Sequence, residues 1–270
     1  MKDITVGIIG FGAIGREVAE AIVDGRAGHA KLVAVLVRSP EKVEPGLAER
    51  LGCRFTADAA DFLDGRLDLV VEAAGHDALR AYAEPVLRAN KDLMLVAVGA
   101  FADGDFQERV SRLAHERGRR VYVVSGAIAG LDAIGAAALG VLSEVTHFIR
   151  KAPRSILPPG QAEAVQRSGQ PKELFAGTAR EAAPLFPENV NVAAAVSLAG
   201  AGLDRTFVRV VADPSVTRNT HEVVARGDFG ELRVLLQNIP TEANPKTGRL
   251  TAMSLIKAIR NLTAPVVVGI

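Results

Sequence analysis

The first 125 residues alternate short apolar runs with amphipathic segments of helical spacing. Apolar runs separated by helices are typical of parallel strands, which are buried on both faces of a sheet. The pattern predicts strands at 4–10, 31–39, 67–75, 92–100 and 120–126, and helices at 13–25, 77–89 and 105–117. With right-handed crossovers, these elements give an α/β fold with a doubly wound parallel sheet.

The pattern changes after about residue 143, where longer segments alternate apolar and polar residues. Such alternation predicts strands in a sheet that exposes one face to water. The predicted strands are 144–155, 204–214, 220–229 and 231–240, with helices around 175–185 and 190–201. Residues 153–171 are predicted to form a surface loop, and a helix at 251–262 and a strand at 265–270 end the chain.

Composition and charge narrow the class of protein. Among the 270 residues, 32 Lys and Arg balance 31 Asp and Glu, so no net charge favours nucleic acid or a membrane surface. The single cysteine, Cys53, excludes an intramolecular disulfide and a cysteine-rich zinc site, which fits a cytoplasmic protein. The strand pattern starts at Ile4, so no signal peptide is expected. No cluster of residues has metal-ligand spacing, and no metal is expected.

One stretch, residues 124–142, is apolar enough to be tested as a membrane segment. It consists mostly of Ala and Gly, and Asp132 in its middle is unfavourable in lipid. The prediction is therefore a strand end, a tight loop and a helix that is buried against a sheet.

A glycine motif, Gly10-Phe11-Gly12-Ala13-Ile14-Gly15, follows the first predicted strand and opens the first helix. Gly10 permits a tight turn, Gly12 lets the backbone approach a pyrophosphate, and Gly15 lets helix and strand pack closely. Ala13 and Ile14 begin the helix whose unpaired N–H groups face the phosphates. This context predicts a Rossmann-type domain that binds NAD or NADP, with a glycine-rich turn without a ligand as the alternative.

Cofactor choice depends on the end of the second strand, where an NAD-specific fold usually carries Asp or Glu. This chain has Val37-Arg38-Ser39 instead. Arg38 can pair with a 2′-phosphate and Ser39 can donate a hydrogen bond to it. The alternative is a solvated Arg38. The missing carboxylate predicts NADP, or tolerance of both cofactors.

Four further segments carry polar residues in apolar surroundings: SGAIAGLDAI (125–134), FPENVNVAAA (186–195), NTHE (219–222) and NPKTG (244–248). Together with GFGAIG, they make the whole chain resemble the L-aspartate dehydrogenase family. FPENVNVAA and NTHE are far more specific than the glycine motif.

The resemblance implies NAD(P)-dependent oxidation of L-aspartate to iminoaspartate, reversible as reductive amination of oxaloacetate with ammonia, and a possible route to quinolinate and NAD. It implies a dinucleotide-binding domain at 1–125, completed by 246–270, and an inserted α+β domain at 126–245 for catalysis and oligomerisation. Family members are usually homodimers or larger, joined through the catalytic-domain sheets. By position, His221 matches the catalytic histidine, and Ala127 and Asn191 match contacts to the nicotinamide end of the cofactor.

The chemistry supports the role that the resemblance gives to His221. Oxidation of an amine requires loss of a proton and of a hydride, and histidine can accept the proton near neutral pH. Without the motif, a lone histidine at a strand edge is more often an ordinary surface residue. Asn219 and Thr220 are candidates to fix its ring. The remaining histidines have weaker claims, and His76 is interpreted as a helix-start residue; they are His29, His76, His115 and His147.

A dicarboxylate substrate also needs cationic or N–H donors. Asn244, Lys246 and Thr247 could grip a carboxylate in the loop before the last helix, or could form an ordinary capping loop. Arg150 and Lys151 are another pair, of which strand alternation sends only one inward. Asn189 is a candidate cap for the helix at 190–201, which leaves Asn191 to face the cofactor.

Two other functions stay open. A related reductase of the lysine or homoserine pathways shares the two-domain plan, but the histidine and lysine pairs expected of a dihydrodipicolinate reductase are not visible. A non-catalytic NAD(P) sensor would keep the glycine motif and would give no reason for NTHE.

Overall fold

The computed structural model describes residues 3–186, 190–239 and 248–269. The chain divides into two compact units, Met1–Gly126 with Thr251–Ile270, and Ala127–Leu250. Among the described residues, no helix is long and apolar enough to cross a membrane.

The first unit contains a six-stranded parallel sheet in the order β3-β2-β1-β4-β5-β6. Its strands are β1 (Ile4–Ile9), β2 (Ala30–Leu36), β3 (Arg54–Thr56), β4 (Leu69–Glu72), β5 (Asp92–Leu95) and β6 (Val121–Val123). The α-helices between them are α1 (Ala13–Val23), α2 (Leu47–Leu51), α3 (Ala59–Asp64), α4 (His76–Arg88) and α5 (Gly104–Arg117). Short 3₁₀ turns lie at Pro40–Lys42 and Val98–Ala102. The strand order reverses between β1 and β4, where this fold type binds dinucleotides.

The second unit contains a five-stranded mixed sheet in the order β11-β10-β7-β9-β8. The strands are β7 (Leu142–Lys151), β8 (Lys172–Thr178), β9 (Thr206–Ala212), β10 (Asn219–Gly227) and β11 (Gly230–Asn238). Only β7 and β9 pair in parallel; the other described neighbours are antiparallel. The helices are α6 (Leu131–Ala137), α7 (Pro159–Ser168), α8 (Ala179–Leu185) and α9 (Val190–Ala199), with a 3₁₀ turn at Pro153–Ser155.

The two faces of this second sheet differ in polarity. On one face, apolar residues of β7, β10 and β11 pack against α6 and α9; they include Val145, Val223, Ala225, Leu236, Ile134 and Val196. The other face carries ion pairs, such as Arg226 with Glu144 and Glu231 at 2.7 Å each. We call these the covered face and the open face. The prediction of a sheet with one polar face is confirmed.

The last helix, α10 (Arg249–Asn261), supplies part of the core of the first unit. Leu255, Ile256 and Ile259 are buried in one cluster with residues of β1, β2 and α1. Burial of these large side chains stabilises the unit by roughly 1.5–3 kcal/mol each.

The predicted α/β fold with a doubly wound sheet and a second α+β unit is confirmed. Several local predictions were wrong. The short strand β3 was missed, and residues 153–171 contain the helix α7, whose Ala162 and Val165 are buried, rather than a surface loop. The helix predicted at 175–185 begins only at Ala179, because β8 precedes it. Residues 265–269 form no strand.

Candidate functional site

The glycine motif forms the turn between β1 and α1. Gly10 has a φ of +94°, and a Cβ atom there would lie 2.7 Å from the Cβ of Ala74. A Cβ on Gly15 would collide with the carbonyl oxygen of Gly10, so this residue lets α1 approach the strand. Both positions therefore require glycine, for conformation at the first and for space at the second.

Gly12 differs from the other two because its neighbourhood is open. A Cβ at Gly12 would meet no described heavy atom within 4 Å. Gly12 is the N-cap of α1, and no side chain caps this end of the helix. The N–H groups at the start of α1, where Ala13 and Ile14 lie, thus suit a pyrophosphate better than they suit a protein acceptor. These residues fit a dinucleotide.

Glu72 is a functional candidate that the sequence reasoning missed. Its side chain is fully buried at the carboxyl end of β4 and accepts hydrogen bonds from Ala74 N and Gly75 N, both at 2.7 Å, and from Ala97 N at 3.1 Å. Burial raises the pKa of this carboxyl, and the backbone donors oppose that shift. Glu72 therefore ties the loop after β4 to the loop after β5. A carboxylate inside the apolar run LVVEAAG was the available signal.

Arg38 is exposed and lies two residues beyond the end of β2. Ser39, which follows it, leads into the 3₁₀ turn at Pro40–Lys42. The location is that of a ribose-binding residue at the end of the second strand, while its role stays a prediction.

His221 lies in β10, opposite Ile149 of β7 and Leu236 of β11. Side chains two residues apart in a strand lie on the same face, so His221 shares the covered face with Val223 and Ala225. Only 5% of the side chain is exposed, so His221 is not a surface residue.

His147 of β7 lies beside His221 and is fully buried. Its Nε2 is 3.1 Å from Nδ1 of His221, and the two rings are nearly parallel, with centroids 5.3 Å apart. In the part of the chain that the structure describes, Nδ1 of His147 has no hydrogen-bond partner. The sequence gives His147 a weaker claim than His221, but antiparallel pairing of β7 and β10 brings these two residues together although they lie 74 positions apart.

The pair of rings is held neutral by its surroundings. Burial lowers the pKa of His221 from 6.5 to about 4, and the positive charge of Lys151 acts in the same direction. Burial, and then the neighbouring His221, lowers the pKa of His147 well below 6.5. A histidine of ordinary pKa, as expected from the sequence, would be partly protonated near neutral pH, whereas His221 stays unprotonated far into the acid range.

The structure decides between Arg150 and Lys151. Lys151 shares the covered face with His147 and Ile149 and is 8% exposed. Arg150 is on the open face, where its guanidinium is 3.9 Å from the Glu222 carboxylate. Of these two residues, Lys151 is therefore the one on the same sheet face as the histidine pair.

Residues on either side of His221 have other roles. Thr220 alternates to the open face, and its hydroxyl donates to the carbonyl of Arg218, so the hypothesis that Thr220 fixes the ring was wrong. Asn219 begins β10 and is partly buried.

The second unit also contains the two residues that were predicted to contact the nicotinamide. The carbonyl of Ala127 accepts a hydrogen bond from Nδ2 of Asn238 at 3.0 Å. Asn191 is the second residue of α9 and is partly buried.

The remaining predicted residues are either undescribed or lie elsewhere in the structure. Asn189, Asn244, Lys246 and Thr247 lie outside the described residues. His76 begins α4, as predicted, while His29 lies near Asp3 and His115 lies in the last turn of α5. Among the described residues, no group of three or more His, Cys, Asp or Glu could hold a metal ion.

Two family models match successive parts of the chain. Residues 10–124 match the NAD-binding domain of homoserine dehydrogenase, and residues 132–262 match the C-terminal domain of aspartate dehydrogenase. The first match contains the whole glycine motif, and the second contains both histidines of the pair.

Relatives match along nearly the whole chain. An L-aspartate dehydrogenase of Methanosarcina barkeri is 38% identical over 98% of this chain and 99% of the relative. An L-aspartate dehydrogenase of Archaeoglobus fulgidus is 40% identical over 97% of this chain and 99% of the relative. The crystal structure of aspartate dehydrogenase from Thermotoga maritima superposes with a TM-score of 0.81 at 27% identity, covering 99% of this chain and 100% of that chain.

Proposed function

Because the chain belongs to the L-aspartate dehydrogenase family, we propose that it oxidises L-aspartate to iminoaspartate and reduces NAD⁺ or NADP⁺. Family membership confirms the predicted enzyme class, an oxidoreductase with a nicotinamide cofactor. The observation that carries the proposal is the buried pair of His147 and His221 with Lys151 on the same sheet face.

His221 is proposed as the general base. Its low pKa keeps the imidazole unprotonated at neutral pH, so it can accept the proton that the substrate amine loses. A nicotinamide bound at the glycine motif would supply the acceptor for the hydride that leaves C2 of the substrate. The electron pair of the breaking N–H bond then forms the C=N bond, and the product is the imine. The reverse direction is reductive amination of oxaloacetate with ammonia.

Lys151 is proposed to bind a substrate carboxylate. Its charge acts at His221, and its burial strengthens electrostatic attraction relative to a solvated lysine. Asn244, Lys246 and Thr247 stay candidates for the second carboxylate. Ala127 and Asn191 are proposed, on the family resemblance, to contact the nicotinamide end of the cofactor.

The assay that tests the function uses purified protein, L-aspartate and either NAD⁺ or NADP⁺, and follows the absorbance of the reduced cofactor. L-aspartate should be oxidised in preference to L-glutamate, L-alanine and homoserine, because two carboxylates are gripped at a fixed separation. Preference for homoserine would instead support a related reductase of amino-acid biosynthesis. Cofactor binding without turnover of any of the four would support an NAD(P) sensor.

The proposed assembly is a homodimer joined through the open face. Leu235 and Phe207 are exposed on this face, at 59% and 44%, among the ion pairs of neighbouring strands. Apolar side chains framed by charges suit a two-fold interface. Leu235→Arg should shift the mass measured by light scattering from dimer to monomer, while Leu139→Arg, at a site 92% exposed, should not. A monomeric wild type would refute the assembly.

The proposed location is the cytoplasm, and the proposed use of iminoaspartate is the supply of quinolinate and NAD synthesis. The single cysteine and the nicotinamide chemistry suit a reducing compartment. Cell fractionation with an antibody against the chain tests the location, and loss of the gene in a strain that lacks another source of iminoaspartate tests the pathway.

A further inference from the structure

His147 occupies a position where the rest of the strand is apolar. Its neighbours on the covered face of β7 are Val145 and Ile149, which are 1% exposed each. The imidazole uses one nitrogen for His221, and its other nitrogen has no partner among the described residues. A buried polar atom without a partner is destabilising, so a leucine would serve the core better. The stability of the sheet gives no reason for histidine here.

We propose that His147 is a positioning residue, which fixes the ring and the tautomer of His221 for proton transfer. The inference rests on the proposed function, in which His221 is the base. With Nε2 of His147 as the acceptor, Nδ1 of His221 carries a hydrogen and donates it along the 3.1 Å contact. Nε2 of His221 is then the nitrogen with the lone pair.

Proton transfer follows from this arrangement. Nε2 of His221 takes the proton of the substrate amine, and the ring becomes an imidazolium. The hydrogen bond from Nδ1 of His221 to His147 becomes charge-assisted and therefore stronger in that state. His147 remains neutral throughout, with its own hydrogen on Nδ1. It stabilises the protonated base without exchanging a proton.

In the part of the chain that the structure describes, few polar or charged groups face His221. From β7, they are His147 and Lys151, and from β11 the paired residue is the apolar Leu236. Of the described residues in α6 and α9, the only charged one is Asp132, which is exposed. Arg150, Glu222 and Arg233 lie on the open face. Among the described residues, Lys151 is therefore the charged group against which a change in the titration of His221 on substitution of His147 is compared.

The first test replaces His147 by Leu and by Gln in the full-length enzyme. His147→Leu should lower kcat by about 10-fold or more, within the roughly 10²–10⁴-fold that a general base contributes. The acid limb of its kcat/KM profile should move to lower pH, because the imidazolium loses its acceptor. Cofactor Kd should stay unchanged. His147→Gln keeps a hydrogen-bond acceptor at this distance from the strand. It should therefore have a higher kcat than His147→Leu, and its acid limb should lie closer to that of the wild type.

Ile149→Val is the matched control, since Ile149 pairs directly with His221 and makes no side-chain hydrogen bond. It should change kcat less than His147→Leu does. The melting temperature of His147→Leu should equal or exceed that of the wild type. A fall in melting temperature with an unmoved pH limb, or an equal loss of kcat in Ile149→Val, would make His147 a packing residue and overturn the proposal.

The second test combines His147→Leu with His221→Ala. If His147 acts through His221, its substitution should have no further effect once His221 is gone, so the two losses should not multiply. Multiplying losses would overturn the proposal. The proposed function fails separately, because near-normal kcat in His221→Ala alone would remove His221 as the base, whatever His147 does.

Discussion

The two sheets of this protein hold two sites that are built in opposite ways. The cofactor turn consists of six consecutive residues, and what matters in them is backbone conformation and the absence of side chains. The histidine pair consists of two side chains from strands 74 residues apart, and what matters is strand register and burial. A substitution within the glycine turn can therefore disrupt the cofactor site by straining the backbone there. The histidine pair instead depends on every element that sets the register of β7 and β10.

The largest effect is expected for the side-chain site. His221→Ala should lower kcat by about 10²–10⁴-fold, because the proposed base is lost, and should leave cofactor Kd nearly unchanged. His221→Asn should be similarly poor, since an amide cannot accept the proton. Thr220→Val, on the adjacent residue of the opposite face, is the control in the same steady-state assay. Equal activity of His221→Ala and the control would return this histidine to a structural role.

Acid should destabilise the histidine pair and not the glycine turn. The unfolded chain protonates both rings below about pH 6.5, but folded His221 stays neutral down to about pH 4, and burial also holds the pKa of folded His147 well below 6.5. Between these pKa values, the unfolded state binds more protons than the folded state. The free energy of unfolding therefore decreases as the pH is lowered, by up to about 1.4 kcal/mol per pH unit for each ring. Urea unfolding at pH 7 and pH 5 measures this, and His147→Leu should remove part of the fall. A fall of the same size in the variant would contradict the burial argument.

Lys151→Met tests whether the covered face binds the substrate. Loss of a charged partner should raise the KM for L-aspartate by about 10- to 100-fold. It should also move the acid limb of His221 to higher pH, since the lysine charge lowers that pKa. Arg150→Met removes the same charge from the open face and should do neither. If Lys246→Ala raises KM and Lys151→Met does not, the carboxylate grip lies in the segment 244–247.

Gly10→Ala tests the backbone site. A φ of +94° disfavours alanine by about 1–2 kcal/mol, and the added methyl also meets Ala74. Gly52→Ala, at a φ of +60° with no described heavy atom within 4 Å, carries the backbone strain alone. Urea unfolding should show a greater loss for Gly10→Ala, and titration with reduced cofactor should show weaker binding only for that variant. If both variants lose the same free energy of unfolding and bind the reduced cofactor equally well, the conformation at Gly10 does not contribute to cofactor binding.

Arg38→Ala should give the smallest effect, because the side chain is exposed. We expect the KM for NADP⁺ to rise about 10-fold or less, with little change for NAD⁺. Lys31→Ala, an exposed cation at the amino end of the same strand, is the control. A rise that is equal for both cofactors, or no rise at all, would exclude Arg38 from the site.

The same contrast explains what the sequence could predict. Gly10, Gly12 and Gly15 lie in one motif between a strand and a helix, so their place in the fold followed from spacing. His147 did not, because nothing in the sequence fixes which residue of β7 meets His221 until the register of the pairing is known. Alternation limited Arg150 and Lys151 to one inward residue, but only the packing of α6 and α9 against one face decided which. The helix α7 was hidden by the Pro and Gly residues around it.

The position of α10 has a consequence for synthesis of the protein. Its Leu255, Ile256 and Ile259 belong to the core of the unit that begins the chain. On the ribosome, residues up to Gly126 therefore emerge without a part of their own core, and the whole second unit is translated before that part arrives. Domains generally fold as units in the order of synthesis. Here all residues of the second unit are synthesised before the last helix can complete the core of the first unit.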